Sequence, residues 1–191
     1  MKESINIFLI FSLILFGSLL IVNISSCKKI DNMGYREFVI KECKHRSSYL
    51  YNTTKSDYIS FKAVFDSSAI YTTDDPNNQY DVNKLYGVSD CGCNHRDYSM
   101  RLGWRWINDS LEVLWFKHMH GTFSFEKIKT ISLNQSYDYS ITLQDSTYLI
   151  CVDGVCVTTK RTCNGNYRHY YLYPYFGGDE KAPHDIKIKI K

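Results

Sequence analysis

The sequence lacks a dominant charge, an internal repeat and any low-complexity tract. Its 23 lysines and arginines are nearly balanced by 20 aspartates and glutamates, which leaves a net charge of +3 over 191 residues. Proteins that bind nucleic acid usually carry a concentrated basic patch. This small and scattered excess therefore argues against a nucleic-acid partner, and the missing repeats argue against a repeat architecture.

One long apolar run is present, and it lies at the N-terminus. Residues 5–24 read INIFLIFSLILFGSLLIVNI and are followed at once by SSCKK. A short N-terminal region, an apolar stretch and small residues before a cleavage site are typical of a secretory signal peptide. The Ile-Ser-Ser-Cys stretch that ends at Cys27 resembles the lipobox of bacterial lipoproteins, which implies cleavage before Cys27 and lipidation of its thiol. An uncleaved anchor is the alternative, because about 20 apolar residues can span a bilayer.

These features predict three segments: a lipoprotein signal peptide at residues 1–26, a lipidated tether at residues 27–34 and a single domain at residues 35–191. The protein would then be exported and held on the bacterial membrane, with the outer membrane as the expected location, through the lipid on Cys27. Two or more acyl chains anchor a protein stably, whereas one chain does not. The remaining length, about 160 residues, fits one domain of ordinary size.

Six further cysteines follow Cys27, and an even number in an exported chain indicates disulfide bonds. The Asp-Gly pair at residues 153–154 is a strong signal for a two-residue type I′ turn. That turn places Cys151 opposite Cys156, close enough for a disulfide. A bond between them would close a very short loop and would therefore stabilise the fold only slightly.

The other four cysteines can pair in more than one way. Cys91 and Cys93 are separated by a single glycine, which is too short a spacing for a comfortable bond between them. We expect these two residues to reach Cys43 and Cys163, in either combination.

The body of the sequence alternates between short strand-like stretches and turn-forming residues. Residues 56–65, SDYISFKAVF, alternate along the strand, whereas residues 74–83, DDPNNQYDVN, are turn-forming types throughout. Many short strands with frequent turns predict an all-β, antiparallel two-sheet β-sandwich of the jelly-roll type. Residues 35–46 fit a short N-terminal helix capped near Asn32, although the REFVI stretch within them could equally be a strand.

The most readable stretch is residues 99–120, where two alternating segments flank Asn-Asp at positions 108–109. A two-residue turn at this pair would place Arg105 opposite Glu112 and Trp104 opposite Val113. One face of the hairpin is then apolar and is predicted to face the core. Its residues are Leu102, Trp104, Trp106, Leu111, Val113 and Trp115. The other face mixes charged, glycine and aromatic residues. These are Arg101, Gly103, Arg105, Glu112, Leu114, Phe116 and His118.

This mixed face has two interpretations, which the sequence leaves open. Sugar-binding sheets of jelly rolls often combine arginine, glycine and aromatic residues in this way. An ordinary exposed face with one cross-strand pair between Arg105 and Glu112 would look the same, and such a pair contributes only a fraction of a kcal/mol.

Two clusters contain residue types that bind metals. His118 and His120 would project to one face of a strand with Glu126 following, which is similar to the His-x-His and Glu of cupins. The glycine expected before the first histidine and the second cupin motif are absent. Residues 91–96, CGCNHR, offer two thiols and an imidazole, but export favours disulfides over zinc thiolates. We therefore assign no metal and no cofactor.

The C-terminal stretch YPYFGGDEKAPHDIKIKIK concentrates acids and a histidine: Asp179, Glu180, His184 and Asp185. Paired carboxylates can hydrolyse glycosides, and a histidine beside a carboxylate can abstract a proton. The Glu-x-Asp-x-x-Glu strand of laminarinase-type hydrolases is absent, as are the Arg-x-Glu-Leu and Gln-x-His strands of alginate-lyase jelly rolls. We assign no catalytic residue and expect a loop that turns the chain into an alternating Ile-Lys strand.

Taken together, RLGWRW, LEVLWF, YPYFGGDEKAPHDIKIKI and the lipobox resemble small exported lipoproteins of gut-type Bacteroidetes. The resemblance covers about residues 49–191 and implies a concanavalin A-like jelly roll with no established activity. By fold analogy it implies contact with carbohydrate. The expected ligand is a glycan lying across the mixed face. Its expected contacts are Arg101, Arg105, Glu112 and Phe116, with His118 and Tyr175 at the rim.

Two alternatives remain open at this stage. One is a polysaccharide-cleaving lyase or hydrolase that uses His118 or His184 with a neighbouring carboxylate. The other is a structural or interaction lipoprotein that has no small ligand.

Overall fold

The computed structural model describes residues 30–47, 50–163, 165 and 167–191. The predicted signal peptide and Cys27 lie outside these residues. The described strands are β1 (Arg36–Ile40), β2 (Thr53–Thr54), β3 (Tyr58–Phe65), β4 (Asn83–Ser89), β5 (Tyr98–Ile107), β6 (Ser110–Met119), β7 (Thr122–Ile131), β8 (Tyr137–Leu143), β9 (Thr147–Val152), β10 (Val155–Lys160), β11 (His169–Leu172) and β12 (Ile186–Ile190). Two short 3₁₀ helices, η1 (Ser67–Ala69) and η2 (Pro76–Tyr80), lie between β3 and β4.

The strands form two antiparallel six-stranded sheets, which confirms the predicted all-β jelly-roll sandwich. The first sheet has the order β1-β12-β3-β8-β9-β10, and the second has the order β2-β11-β4-β5-β6-β7. Strands distant in sequence lie side by side in both sheets, as the long connections of a jelly roll require. Within the described part of the chain, no helix has the length and apolar character needed to cross a bilayer.

The N-terminal helix is not formed, and that prediction is wrong. Residues 36–40 form β1, which pairs with the last strand so that Phe38 lies opposite Ile188. Phe38 and Ile40, two positions apart, are both buried. This period of two matches a strand, and β12 supplies the hydrogen-bonding partner that the local sequence does not reveal.

The central hairpin has the predicted register. Asn108 and Asp109 both have positive φ, at 49° and 52°, as a type I′ turn requires. Arg105 lies opposite Glu112 and Trp104 opposite Val113. The predicted core face of β5 and β6 packs against the first sheet, with Trp106 only partly buried at its end. The mixed face of the hairpin therefore lies on the outer side of the second sheet.

The second hairpin also has the predicted register, with Cys151 opposite Cys156, and these two cysteines form a disulfide. A second disulfide joins Cys91 to Cys163, whose Cα atoms lie 5.4 Å apart. This pair is one of the combinations expected.

The expected bond between the remaining two cysteines is not formed. Cys43 and Cys93 are both exposed free thiols. Cys43 follows β1 in the first sheet and donates its backbone N–H to the Ala182 carbonyl. Cys93 lies in the turn that leads into β5 of the second sheet, so the two thiols belong to loops of different sheets.

Candidate functional site

A groove of about 800 Å3 lies on the outer face of the second sheet, across β4, β5 and β6. Four of the predicted ligand-binding residues line it together. These are Arg101, Phe116, His118 and Tyr175. The period-two alternation of β5 and β6 places the first three on one face, and the C-terminal segment adds Tyr175.

The other two predicted residues, Arg105 and Glu112, are not among the residues that line the groove. They form an ion pair, with Arg105 Nε 2.8 Å from Glu112 Oε2. Arg105 also donates to the Tyr80 carbonyl, and Glu112 accepts a bond from Lys127. Both carboxylate oxygens of Glu112 and two of the three guanidinium nitrogens of Arg105 are therefore engaged within the protein.

Arg101 is buried in the wall of the groove, with 7% of its surface exposed. Its Nη2 donates to the Tyr173 carbonyl at 2.8 Å, whereas its buried Nε has no partner. Within the described residues, no carboxylate lies within ion-pair distance of this guanidinium. Burial lowers the pKa of Arg101 to about 9 because it penalises the charged form.

Lys84 is a second cation in the groove, and it is not among the ligand-binding residues predicted from the sequence. Its backbone exchanges hydrogen bonds with Tyr175, and its Nζ donates to the Val82 carbonyl at 2.7 Å. The Nζ also lies 4.3 Å from the centre of the Phe116 ring, within cation–π distance. Burial and then the charge of Arg101 lower the pKa of Lys84 to about 8, against the opposing charge of Asp81.

Three phenylalanines form an aromatic ladder across β6 and β7, which consists of Phe116, Phe123 and Phe125. The Phe116 ring stacks on Phe123 with centroids 5.7 Å apart and planes 13° apart. It stacks on Phe125 at 6.2 Å and 8°. Phe123 is 63% exposed and Phe125 is 39% exposed, and all three rings line the groove. Parallel exposed rings offer apolar area at low entropic cost, which suits stacking on a ligand.

The local sequence carries a signal for this aromatic ladder. Residues 122–126 read TFSFE, so two phenylalanines alternate with polar residues directly after the His120-Gly121 pair. His120 and Gly121 both have positive φ, as a hairpin turn requires. The turn places Phe123 opposite His118 and Phe125 opposite Phe116.

The two histidines of the HMH stretch do not share a face. His118 lies on β6 and its Nδ1 is 3.4 Å from Ser99 Oγ, whereas β6 ends at Met119 and His120 bonds to the Tyr98 hydroxyl at 2.6 Å. Burial, followed by the nearby charges of the groove, lowers the pKa of His118 to about 4. His118 is therefore a neutral imidazole at neutral pH.

The three potential zinc ligands of CGCNHR also diverge. Cys91 is bonded to Cys163, Cys93 is exposed, and His95 Nδ1 lies 3.0 Å from the Tyr170 hydroxyl. A cluster of Asp90 with the two bonded cysteines is present in the described residues, but its sulfur atoms form the disulfide and are not free thiolates.

The acids and histidine of the C-terminal loop bind other loops. His184 Nε2 lies 2.9 Å from the Ser68 carbonyl, and Asp185 accepts bonds from Lys41 Nζ and the Glu42 backbone. Glu180 accepts bonds from residues 74–78, at the start of η2. These side chains fasten the loop to the first sheet and to η2, and none of the three lines the groove.

Asp179 is the exception in this loop, because it does line the groove. It lies close to Asp81, whose pKa is raised by burial, with the charge of Asp179 adding to the effect. The groove therefore contains two neighbouring carboxylates, and the charge of Lys84 acts on one of them, Asp81.

No protein-family model matches the sequence, and no curated protein matches it. Solved structures do match the fold. Alginate lyase AlyC3 superposes with a TM-score of 0.57 at 11% identity, over 85% of this chain and 75% of the lyase. An endo-acting O-glycanase of human gut microbiota that initiates mucin breakdown gives 0.53 at 10% identity, over 88% and 83%. The laminarinase catalytic domain of Thermotoga maritima gives 0.53 at 11%, over 84% and 76%. The chain therefore shares its jelly-roll fold with proteins that act on polysaccharides and glycoproteins.

Proposed function

We propose that this protein is an exported, lipid-anchored lipoprotein that binds a glycan in the groove of its second sheet. The observation that carries the proposal is the aromatic ladder, whose exposed parallel rings lie beside the buried polar side chains of the same groove. Sugar rings stack on such aromatics, and the polar groups fix their orientation.

The binding test compares two exposed aromatic residues. Phe123→Ala removes a ring of the aromatic ladder, whereas Tyr58→Ala removes a ring of similar exposure, 57%, from the first sheet. Isothermal titration against a panel of bacterial, plant and host polysaccharides should show affinity lost by about tenfold in the first variant, since an anchor residue contributes on the order of 1.4 kcal/mol. Equal affinities of the two variants for every polysaccharide that binds would refute the proposal.

The anchoring part of the proposal rests on the lipobox resemblance at Cys27. Metabolic labelling with a radioactive fatty acid should mark the wild-type protein and leave Cys27→Ala unlabelled. Cys43→Ala, which removes an exposed free thiol of the folded domain, is the matched control and should stay labelled. If the membrane form begins at Met1 and carries no lipid, the segment is an uncleaved anchor.

A second candidate function is polysaccharide cleavage, and the position of His118 favours it, because the imidazole lines the groove together with Arg101 and Lys84. A neutral imidazole can act as a general base, and the cations of Arg101 and Lys84 can stabilise negative charge that develops next to it. The solved structures of the same fold include an alginate lyase and a laminarinase. His184 takes no part, because it is bound to the Ser68 carbonyl away from the groove.

The test of cleavage is the appearance of new chain ends. Incubation with polysaccharides that bind should release products with an unsaturated sugar, detected by ultraviolet absorbance, if His118 abstracts a proton. Hydrolysis would release reducing ends without that absorbance. His118→Gln should abolish either signal while His120→Gln retains it. Binding without any product would leave the protein as a glycan-binding module.

A further inference from the structure

Two cations of the groove are withdrawn from water, Arg101 almost fully and Lys84 partly. The charge of Asp81 acts on Lys84, but from beyond ion-pair distance. Arg101 has one partner, the Tyr173 carbonyl, and its Nε is buried with none. Lys84 has one hydrogen-bond partner, the Val82 carbonyl. Neither side chain forms an ion pair with any carboxylate of the described residues.

Another buried arginine of the described structure, Arg161, does have a carboxylate partner. It is 4% exposed, and it binds Asp90 through two hydrogen bonds, at 2.7 Å and 2.9 Å. This arrangement follows the general rule that a buried charge needs an opposite charge, because the loss of water costs several kcal/mol for each ion. Arg101 breaks this rule, and the half-buried Lys84 lines the same groove.

The two cations are also placed to act together. Lys84 on β4 lies opposite Gly103, and Arg101 is two residues before that glycine on β5. The charge of Arg101 disfavours the charged form of Lys84, which places them within electrostatic reach of each other. A Cβ on Gly103 would lie 2.4 Å from a Val82 methyl group. A side chain at position 103 would therefore displace Val82, whose carbonyl accepts the hydrogen bond from Lys84. An anion between the two side chains would replace the missing counter-ion.

We infer that the glycan is anionic, and that Arg101 and Lys84 together receive a carboxylate or sulfate group of one of its sugars. The inference rests on the proposed glycan-binding function and specifies its ligand class. The guanidinium can bind a carboxylate or sulfate through two parallel hydrogen bonds, while the ammonium acts as a point charge. The remaining sugar rings would stack on the aromatic ladder, which Lys84 touches at Phe116.

The rest of the groove agrees with an anionic ligand. Four cationic side chains line it, which are Arg46, Lys84, Arg96 and Arg101. Two carboxylates line it as well, which are Asp81 and Asp179. The excess of cations favours the anion, whereas Asp179 and Asp81, whose charge acts on Lys84, oppose it. The histidines that line the groove, His95 and His118, have lowered pKa values and add no charge near neutral pH.

The test uses the full-length protein in detergent and three related polymers. Polygalacturonate carries carboxylates, its carboxyl-reduced form is the neutral galactan, and carrageenan is a galactan with sulfate and no carboxylate. Affinity electrophoresis of the wild type should show retardation by a charged polymer at least tenfold stronger than by the neutral one. Retardation by polygalacturonate identifies a carboxylate ligand, and retardation by carrageenan identifies a sulfate ligand.

The variant that probes the pair is Lys84→Met, which keeps the length of the side chain and removes its charge. It should weaken retardation by the charged polymer at least tenfold, and retardation by the neutral polymer much less. Lys160→Met, at an exposed lysine of β10 in the first sheet, is the matched control and should behave as the wild type. Arg101→Met should act like Lys84→Met.

A second readout does not depend on the choice of polymer. Sulfate and galacturonate should raise the melting temperature of the wild type in a concentration-dependent way, because a ligand that binds only the folded state stabilises it. Galactose should not, and Lys84→Met should lose the anion-dependent shift. If anions shift wild type and Lys84→Met equally, and charged and neutral polymers bind alike, the anion site does not exist.

The two proposals fail in distinguishable ways. If the anion site is refuted but Phe123→Ala still weakens binding of a neutral polymer, glycan binding stands and only its ligand class is wrong. If no polysaccharide binds the wild type and no anion shifts its melting temperature, both proposals are wrong.

Discussion

The same substitution at two buried arginines should have opposite effects on stability. Arg161 and Arg101 are 4% and 7% exposed, so their side chains are removed from water to a similar degree. Arg161→Met would leave the fully buried Asp90 carboxylate with two donors, the Tyr148 hydroxyl and the Cys91 backbone N–H. Arg101→Met would leave no carboxylate behind, only the carbonyl of Tyr173.

The expected magnitudes follow from these contacts. Removing one partner of a buried ion pair costs about 3–5 kcal/mol, because the other charge stays buried, so Arg161→Met should lower the free energy of unfolding by that amount. For Arg101, the fall in pKa from 12.5 to about 9 corresponds to roughly 5 kcal/mol of unfavourable burial. Replacement by methionine removes this cost and loses one charged hydrogen bond of about 1.5–3 kcal/mol. We therefore expect Arg101→Met to stabilise the fold, by roughly 2–3.5 kcal/mol.

Guanidinium unfolding followed by tryptophan fluorescence measures both values. The signal reports the core, since Trp104 and Trp115 are buried between the sheets. The midpoint of thermal unfolding should fall by roughly 10 °C in Arg161→Met, given about 2–4 °C per kcal/mol for a chain of this size, and should not fall in Arg101→Met. Equal destabilisation by the two substitutions would show that Arg101 is stabilised in the fold, and would remove the reason to expect an anion beside it.

Three further predictions concern binding and stability. Affinity for the anionic polymer should fall as the pH rises through about 8, because Lys84 loses its proton there. An ordinary lysine would keep its charge to about pH 10. His118 has a pKa of about 4 and stays neutral over this range. Titration between about pH 6 and about pH 9 checks the dependence, and a constant affinity would exclude Lys84 as the charged contact. Cys91→Ser opens a disulfide that spans 72 residues and should lower the free energy of unfolding by about 4 kcal/mol. Cys151→Ser opens a disulfide that spans 5 residues and should lower it by about 2 kcal/mol. Denaturant unfolding of the two variants measures the difference. Gly87→Ala should lower the yield of folded protein, because its Cβ would lie 2.2 Å from a main-chain carbonyl oxygen, and a normal melting temperature would contradict this expectation.

Both hairpins were predictable because their information is local. A two-residue turn fixes the register of the two strands beside it, and the period of two then assigns every side chain to a face. That reasoning placed Arg101, Phe116 and His118 on one side of the second sheet, where they do line the groove. The same reasoning does not reveal that Arg105 and Glu112 are paired with each other and are not among the residues that line the groove.

The other errors and omissions involve partners that are distant in sequence. The apolar spacing of residues 35–46 fits both a helix and a strand, and pairing with β12 decides between them. Lys84 reaches the groove because β4 pairs with β5 and with the segment around Tyr175. Neither contact can be read from the residues near Lys84. The sequence near Cys43 likewise does not show that its thiol is free, because the position of Cys43 depends on which sheet β1 joins.

The C-terminal loop shows how residues that look catalytic can serve the site indirectly. His184 and Asp185 hold the loop against the first sheet, and Gly177 donates its N–H to the buried Asn83 side chain. The segment fixed in this way carries the Tyr173 carbonyl that binds Arg101 and the Tyr175 backbone that pairs with Lys84. The loop thus positions both unpaired cations. Arg101 is buried with no carboxylate at ion-pair distance among the described residues, so its charge lowers the stability of the fold. A bound anion would offset that cost.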